Sequence, residues 1–368
     1  MEILEKIKAG REIMIPNKEN ERSEKICSTK KKEKINYIMP ILFVMLAAAF
    51  LISFTLGRYA ISIPEIFNIF FSKIFGLEAT WPATIETVIF NVRIPRIFAA
   101  MLVGGALAVS GATYQGLFKN PMVSPDILGA SAGAGFGAAL AILMSFGIVG
   151  IQVSAFLFGI GAVLLTFLVS TIISKDNNAT LVLVLTGMVV STLFASFISI
   201  TKYLADPDSK LPAITFWLMG GLSSIRPIDV KVVLVPMLIG VIPLILLRWK
   251  LNVLSFGDEE AKALGLDIIK LRVIIIVCAT LLTASAVSIC GMVGWIGLII
   301  PHLARMLVGP NFKALLPAAL FLGSTFLLLV DDIARSAFSI EIPLGILTSL
   351  LGAPFFLYLL MKGKRGWV

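Results

Sequence analysis

The chain has 368 residues, 58% of them hydrophobic and 14% charged, with a mean hydropathy of +0.97. Those values exclude a soluble domain, whose water-facing surface needs far more charge. The formal net charge of +9 does not point to nucleic acid, because the basic residues are scattered over loops and one tail without interleaved aromatics.

The first 36 residues hold ten Lys or Arg and seven Glu. This is the composition of a flexible polar leader, not of a cleavable signal or a polybasic lipid anchor. We read 1–37 as a cytoplasmic tail, 38–364 as a transmembrane domain and 365–368 as a cytoplasmic C-terminus. Apolar runs bounded by charges or Pro-Gly corners predict an all-α polytopic protein with ten spans, at 38–57, 97–118, 127–147, 151–174, 179–201, 232–247, 273–289, 291–308, 315–330 and 342–361.

The most informative segment is 92–137, which opens on the Arg pair of V-R-I-P-R and runs without charge from Ile97 to Phe118. A helix of about 20 such residues crosses about 30 Å of hydrocarbon. A polar corner, N-P-M-V-S-P, follows. Gly129, Gly133 and Gly137 then recur every fourth residue, a small-residue stripe that lets another helix approach closely in lipid.

Orientation follows from Lys and Arg, which cytoplasmic segments retain. With the N-terminus inside, 22 of the 31 basic residues fall on the cytoplasmic side, and ten crossings return the C-terminus there too. Of the ten spans as drawn, only 291–308 contains an Asp, Glu, Lys, Arg or His, with His302 and Arg305 in I-P-H-L-A-R. A carrier driven by an ion gradient needs coordinating groups near the midplane, so that mechanism is poorly supported. His302 is the chain's one histidine, and a metal or haem site needs further ligands that no second His supplies. No G-x-x-x-x-G-K-[ST] loop occurs, so ATP, if it drives the chain, must be bound by another subunit.

The loop between the sixth and seventh spans, near 254–268, offers that subunit a place. Asp258, Glu259 and Glu260 favour the start of a short helix, Gly265 suits its end, and Ala261 and Leu264 are expected on one face. The alternative is a helix lying on lipid headgroups. Such helices carry basic polar faces, and this one opens with three acids.

Four motifs in this order resemble the FecCD family, the permeases of type II ATP-binding cassette (ABC) importers for iron-siderophores, haem and cobalamin. They are R-I-P-R with G-G-A-L-A-V-S-G; F-K-N-P-M-V-S-P-D-I-L-G; G-D-E-E-A-K-A-L-G-L; and G-W-I-G-L-I-I-P-H-L-A-R followed by L-L-P-A-A-L and E-I-P-L-G-I-L-T-S-L-L-G-A-P-F-F. The resemblance covers about residues 38–364. It implies a non-enzymatic permease subunit in the cell membrane, without cofactor or resident metal. It further implies a homodimer of ten helices per subunit, carrying two ATP-binding ATPase subunits and an extracytoplasmic substrate-binding protein. An inverted pair of repeats, spans two to five and seven to ten, is implied as well.

Residue by residue, the resemblance places the family's docking arginines on Arg93, Arg96 and Arg335, expected to present positive charge to one external face. It places coupling to the ATPase on Asp258, Glu259, Glu260, Ala261, Leu264 and Gly265. The cytoplasmic gate falls on Asn178, Ala179 and Thr180. The implied cargo is a metal chelate, iron(III)-siderophore in the first instance, with haem and cobalamin as alternatives. Two other classes stay open from the residues: a gradient-driven transporter or facilitator, and an intramembrane enzyme, the latter disfavoured by the single His and the lack of paired Asp.

Overall fold

The computed structural model describes residues 18–57, 59, 61–76, 81–173, 179–337 and 340–362, with the side chains of 18–36, 74, 179, 360 and 362 left aside. The chain divides into two units, 1–41 and 42–368. Each predicted span has its helix. The first is α1 (Lys18–Thr55), whose membrane-length apolar part is Tyr37–Thr55. After α2 (Ile63–Phe75), the second span is built from α3 (Ala83–Thr87), a π-helical turn (Val88–Arg93) and α4 (Ile94–Leu117).

A 3-10 turn (Pro125–Leu128) leads into α5 (Ala130–Leu143), α6 (Ile148–Ile173) and α7 (Ala179–Leu204). Next come α8 (Lys210–Met219), α9 (Pro227–Leu246), α10 (Arg248–Phe256) and α11 (Asp258–Ala263). The last four spans are α12 (Ile268–Cys290), α13 (Ile296–Val308), α14 (Phe312–Ser336) and α15 (Leu344–Lys362). Among the described residues, seven spans are long enough to cross a membrane alone, and three apolar helices, α5, α13 and α15, are shorter.

The second span begins fourteen residues before the predicted Ile97, at Ala83, because Glu86 and Arg93 interrupt an otherwise apolar pattern. Pro95 explains the π turn. Its ring nitrogen cannot donate to the carbonyl four residues back, and the ladder widens so that Ile94 N–H reaches Ile89 O instead.

The second and seventh spans lie nearest the centre: over their apolar 18-residue stretches 83% and 72% of residues are buried, with 67% in α14, against 28% for α1, α6, α7 and α9. Helix α4 packs on α12, α13 and α14, while α12 packs on α4, α5 and α6, and α9 packs on both α4 and α12. That pattern mirrors spans two, eight and nine onto seven, three and four. Between the two central helices, Ser110 Oγ lies 2.9 Å from Thr283 Oγ1 and Tyr114 OH lies 3.1 Å from Thr280 Oγ1. Such hydroxyl pairs hold helices together where lipid supplies no hydrophobic drive.

Glycine sets the closest approaches. A Cβ at Gly111 would collide with the Gly297 backbone, and one at Gly104 with the Gly323 carbonyl. Of the glycine stripe, Gly133 and Gly137 do meet α6, against the carbonyls of Phe158 and Ser154. Gly129 instead precedes α5 at φ +90°, a left-handed position that ends the 3-10 turn.

Loops joining even spans to odd ones meet at one end. There Lys119 pairs with Asp258 at 3.5 Å, and Asn252 Nδ2 donates to Asn311 Oδ1 at 3.0 Å. Loops after the odd spans meet one another: Gly221 N–H donates to Cys290 O at 2.7 Å, and Leu344 N–H to Gly220 O at 2.9 Å. This alternation is what ten crossings require.

Candidate functional site

At one end of the spans the π turn and α4 carry Arg93 and Arg96, one helical turn apart, and α14 brings Asp331, Asp332 and Arg335 against them. Arg96 grips Asp331 through two nitrogens, with Nε 2.9 Å from Oδ2 and Nη2 2.9 Å from Oδ1. Its Nη1 also donates to Glu341 Oε1 at 2.9 Å. Arg335 Nη2 binds Asp332 and donates 2.6 Å bonds to Ser53 O and Ser53 Oγ, tying α14 to α1. Arg93 donates to the carbonyls of Phe54 and Tyr59.

The structure thus unites the three arginines, but not as free charges on an outer face. They are 3–6% exposed; Asp331, Asp332 and Glu341 pair with Arg96 and Arg335, while Arg93 is held by backbone carbonyls alone. The sequence reading expects all three to present positive charge to one external face; in this structure their side chains are buried. Burial makes compensation obligatory, since an unpaired guanidinium taken out of water costs several kcal/mol. The sequence reading drew the ninth span only to Val330 and so left Asp331 and Asp332 outside it, whereas α14 continues to Ser336. Two atoms of this cluster make no hydrogen bond among the described residues: Asp332 Oδ2 and Arg335 Nε, the latter 3.9 Å from Asp331 Oδ2. Glu341, with a side chain 31% exposed, is the accessible acid of the cluster.

At the opposite end α11 forms where the acidic run predicts it. Gly265, at φ +75°, closes it by donating its N–H to Lys262 O at 2.9 Å. Asp258 does not point away but anchors the helix, 3.0 Å from Arg272 and 3.5 Å from Lys119. Asp267 caps α12 by accepting the Lys270 N–H, and that bond holds its carboxyl below the usual range. Glu259 and Glu260 are exposed. Ala261 and Leu264, expected on one face, part company: Ala261 is fully buried and Leu264 is 61% exposed. Phe256, 80% exposed just before the helix, joins Leu264 as an apolar projection the sequence reading did not single out.

Of the gate residues, Asn178 lies outside the described residues and so does the side chain of Ala179. Thr180 is half-buried in the first turn of α7. Farther along α7, Thr192, Ser196 and Ser199 form an exposed row, each hydroxyl bonded to the carbonyl four residues earlier at 2.9–3.0 Å. Their helical spacing in S-T-L-F-A-S-F-I-S was the available signal.

Ten apolar helices, neutralised charge at one end and a projecting acidic helix at the other define a polytopic membrane permease. The chain belongs to the FecCD transport family, whose model matches residues 45–362. It is 44% identical to the molybdate import system permease protein MolB of Haemophilus influenzae over 90% of this chain and 97% of that one. It is 39% identical to a probable iron chelatin transport system permease protein of Helicobacter pylori, covering 77% of this chain and 85% of the relative. A solved chain described as an inward-facing metal-chelate-type ABC transporter superposes with a TM-score of 0.79 at 41% identity, covering 89% of this chain and 99% of that one. The protein is therefore an ABC importer permease.

Proposed function

We propose that this chain is the transmembrane half of an ATP-driven importer that works as a homodimer in the cell (inner) membrane with both termini cytoplasmic. Two ATP-binding subunits seat on the α11 end, and an extracytoplasmic binding protein delivers a metal chelate at the arginine end. The observation that carries this reading is α11 itself: a short acidic helix, fixed to the body by Asp258 and showing Glu259, Glu260 and Leu264 outward, on a chain with no nucleotide loop of its own. Within it, Ala261 and Gly265 shape the helix and Leu264 makes the contact.

The binding protein reaches Arg93, Arg96 and Arg335 by exchange: its carboxylate takes the place of Glu341 on Arg96, leaving Asp331 in position. The gate is assigned to Asn178, Ala179 and Thr180. The hydroxyl row of α7 suits a path that passes cargo along without holding it, because each hydroxyl is already bonded to its own helix.

Iron(III)-siderophore is the first reading of the cargo, supported by the relative named for iron chelatin and by the metal-chelate structure. Molybdate is the second, favoured by the 44% identical relative. Uptake of radioactive iron chelate and of radioactive molybdate by proteoliposomes holding the permease, its ATPase and its binding protein separates them. Accumulation of iron chelate alone supports the first reading, molybdate alone the second, and neither cargo overturns both.

A further inference from the structure

Helix α2 is apolar over a wider arc than the protein covers. Ile66 and Ile69 are buried and Phe70 half-buried against α1 and the π turn, where Phe70 stands edge-on to Phe54 at 5.8 Å and to Phe90 at 5.7 Å. Ile63, Phe67, Phe71 and Phe75 recur every fourth residue beside that face, and they are 57–65% exposed. The remaining arc is polar: Glu65, Asn68 and Ser72.

A helix that needed only to pack on the body would carry polar residues at 67, 71 and 75. Its ends are firmly set. Ser62 and Glu65 form a reciprocal capping box at the start, and Gly76 at φ +67° closes the end. The Ser62 backbone and hydroxyl hold the Glu65 carboxyl below its usual range, which keeps that residue of the polar arc ionised.

Beside the ridge lies the apolar surface of a membrane-length helix. Helix α2 begins eight residues after Thr55, the end of a membrane span. Between the two runs a groove of about 640 Å³ lined by rings and aliphatic side chains, including Phe50, Leu51, Phe54, Ile63, Phe67 and Phe98. Leu51 and Ile52, on its α1 wall, are 61% and 49% exposed and continue the apolar outer surface of the span. The groove therefore opens onto the hydrocarbon-facing surface of α1. Arg93, bonded to the Tyr59 carbonyl, keeps the connecting loop at the arginine end.

We propose that α2 is a membrane-surface helix: it lies along the leaflet at the arginine end with Phe67, Phe71 and Phe75 among phospholipid acyl chains and Glu65 and Asn68 toward water. The groove beneath it takes an acyl chain of that leaflet. This braces the outer end of α1 and the π turn laterally, next to the charge cluster. It does not depend on which cargo the permease carries. The wide apolar arc, the water-facing polar arc and continuity with a spanning surface are the features such helices share.

The test uses the full chain with Cys27→Ser, since Cys278 and Cys290 are buried, in nanodiscs of phosphatidylethanolamine and phosphatidylglycerol. A nitroxide is attached at Phe67→Cys, Phe71→Cys or Phe75→Cys, and at Asn68→Cys as the water-side reference. Collisions with oxygen and with a water-soluble nickel chelate are measured. The oxygen-to-nickel ratio at 67, 71 and 75 should exceed that at 68 several-fold. Nickel collisions at 71 equal to those at 68 would place the ridge in water, and protection from both reagents would place it against a protein, a second copy included. Either result overturns the proposal.

Discussion

The two ends of this permease use the same chemistry, an arginine or lysine beside a carboxylate, at opposite depths. In the Arg96–Asp331 pair the side chains are 8% and 0% exposed; in the Lys119–Asp258 pair they are 41% and 43% exposed. A buried pair adds little net stability, since desolvation offsets its attraction, yet it is costly to break because the survivor cannot be solvated; an exposed pair loses little when water replaces the partner. The arginine end is thus a clamp between spans two and nine, and the α11 end is a contact that can shift.

Removing one clamp partner should have the largest effect. Asp331→Ala removes the bidentate partner of Arg96, leaving only the partly exposed Glu341 on it, and should lower stability by about 3 kcal/mol, read as a fall in the thermal unfolding midpoint in detergent. The paired change Arg96→Met with Asp331→Leu should recover most of that loss. If the single and double variants melt alike, the pair is not the clamp.

Next comes Ala261→Trp. Since Ala261 is fully buried beneath α11, the indole overpacks the site, at a cost of about 1–3 kcal/mol, and unseats the helix. Unchanged thermal stability would show that the loop yields freely. The exposed pair should matter less. Asp258→Asn should cost about 0.2–1 kcal/mol for its contacts with Lys119 and Arg272, and the difference from wild type should shrink as salt is raised.

The smallest expected effect is at Asp267. Its folded carboxyl titrates below the usual range because it accepts the Lys270 N–H, so its contribution is present above the unfolded value and is lost as pH falls through the folded one. Asp267→Asn should flatten that acid limb of a stability-against-pH curve. An unchanged limb would mean that the cap does not titrate there.

The contrast between the ends also explains what the sequence made legible. The ten spans, the acidic helix and its closing glycine were readable, because apolar runs, N-terminal acids and a left-handed glycine are local signals. The clamp was not. Arg96 and Asp331 are 235 positions apart, and a charge at a span edge reads the same whether it faces water or a partner. Arg93 and Glu86 likewise hid the first turns of the second span, since hydropathy alone ends a span at a charge that tertiary contacts allow the helix to bury. Helix α2 was missed for a different reason: thirteen residues are too few to span, although Ser62 and Glu65 mark its start. The opposite fates of Ala261 and Leu264 depended on where α11 sits on the body, which three-residue spacing cannot tell.

The most direct test of the account is ATP-driven uptake by the reconstituted complex with Leu264→Glu beside wild type. Leu264 is exposed, so the variant should melt within about 0.5 kcal/mol of wild type, and its import should collapse because the ATPase no longer seats on α11. Wild-type uptake should require ATP and its ATPase subunit. Full ATP-dependent import by the Leu264→Glu complex would contradict the coupling site, and import by the permease alone under an imposed proton or sodium gradient would contradict the mechanism.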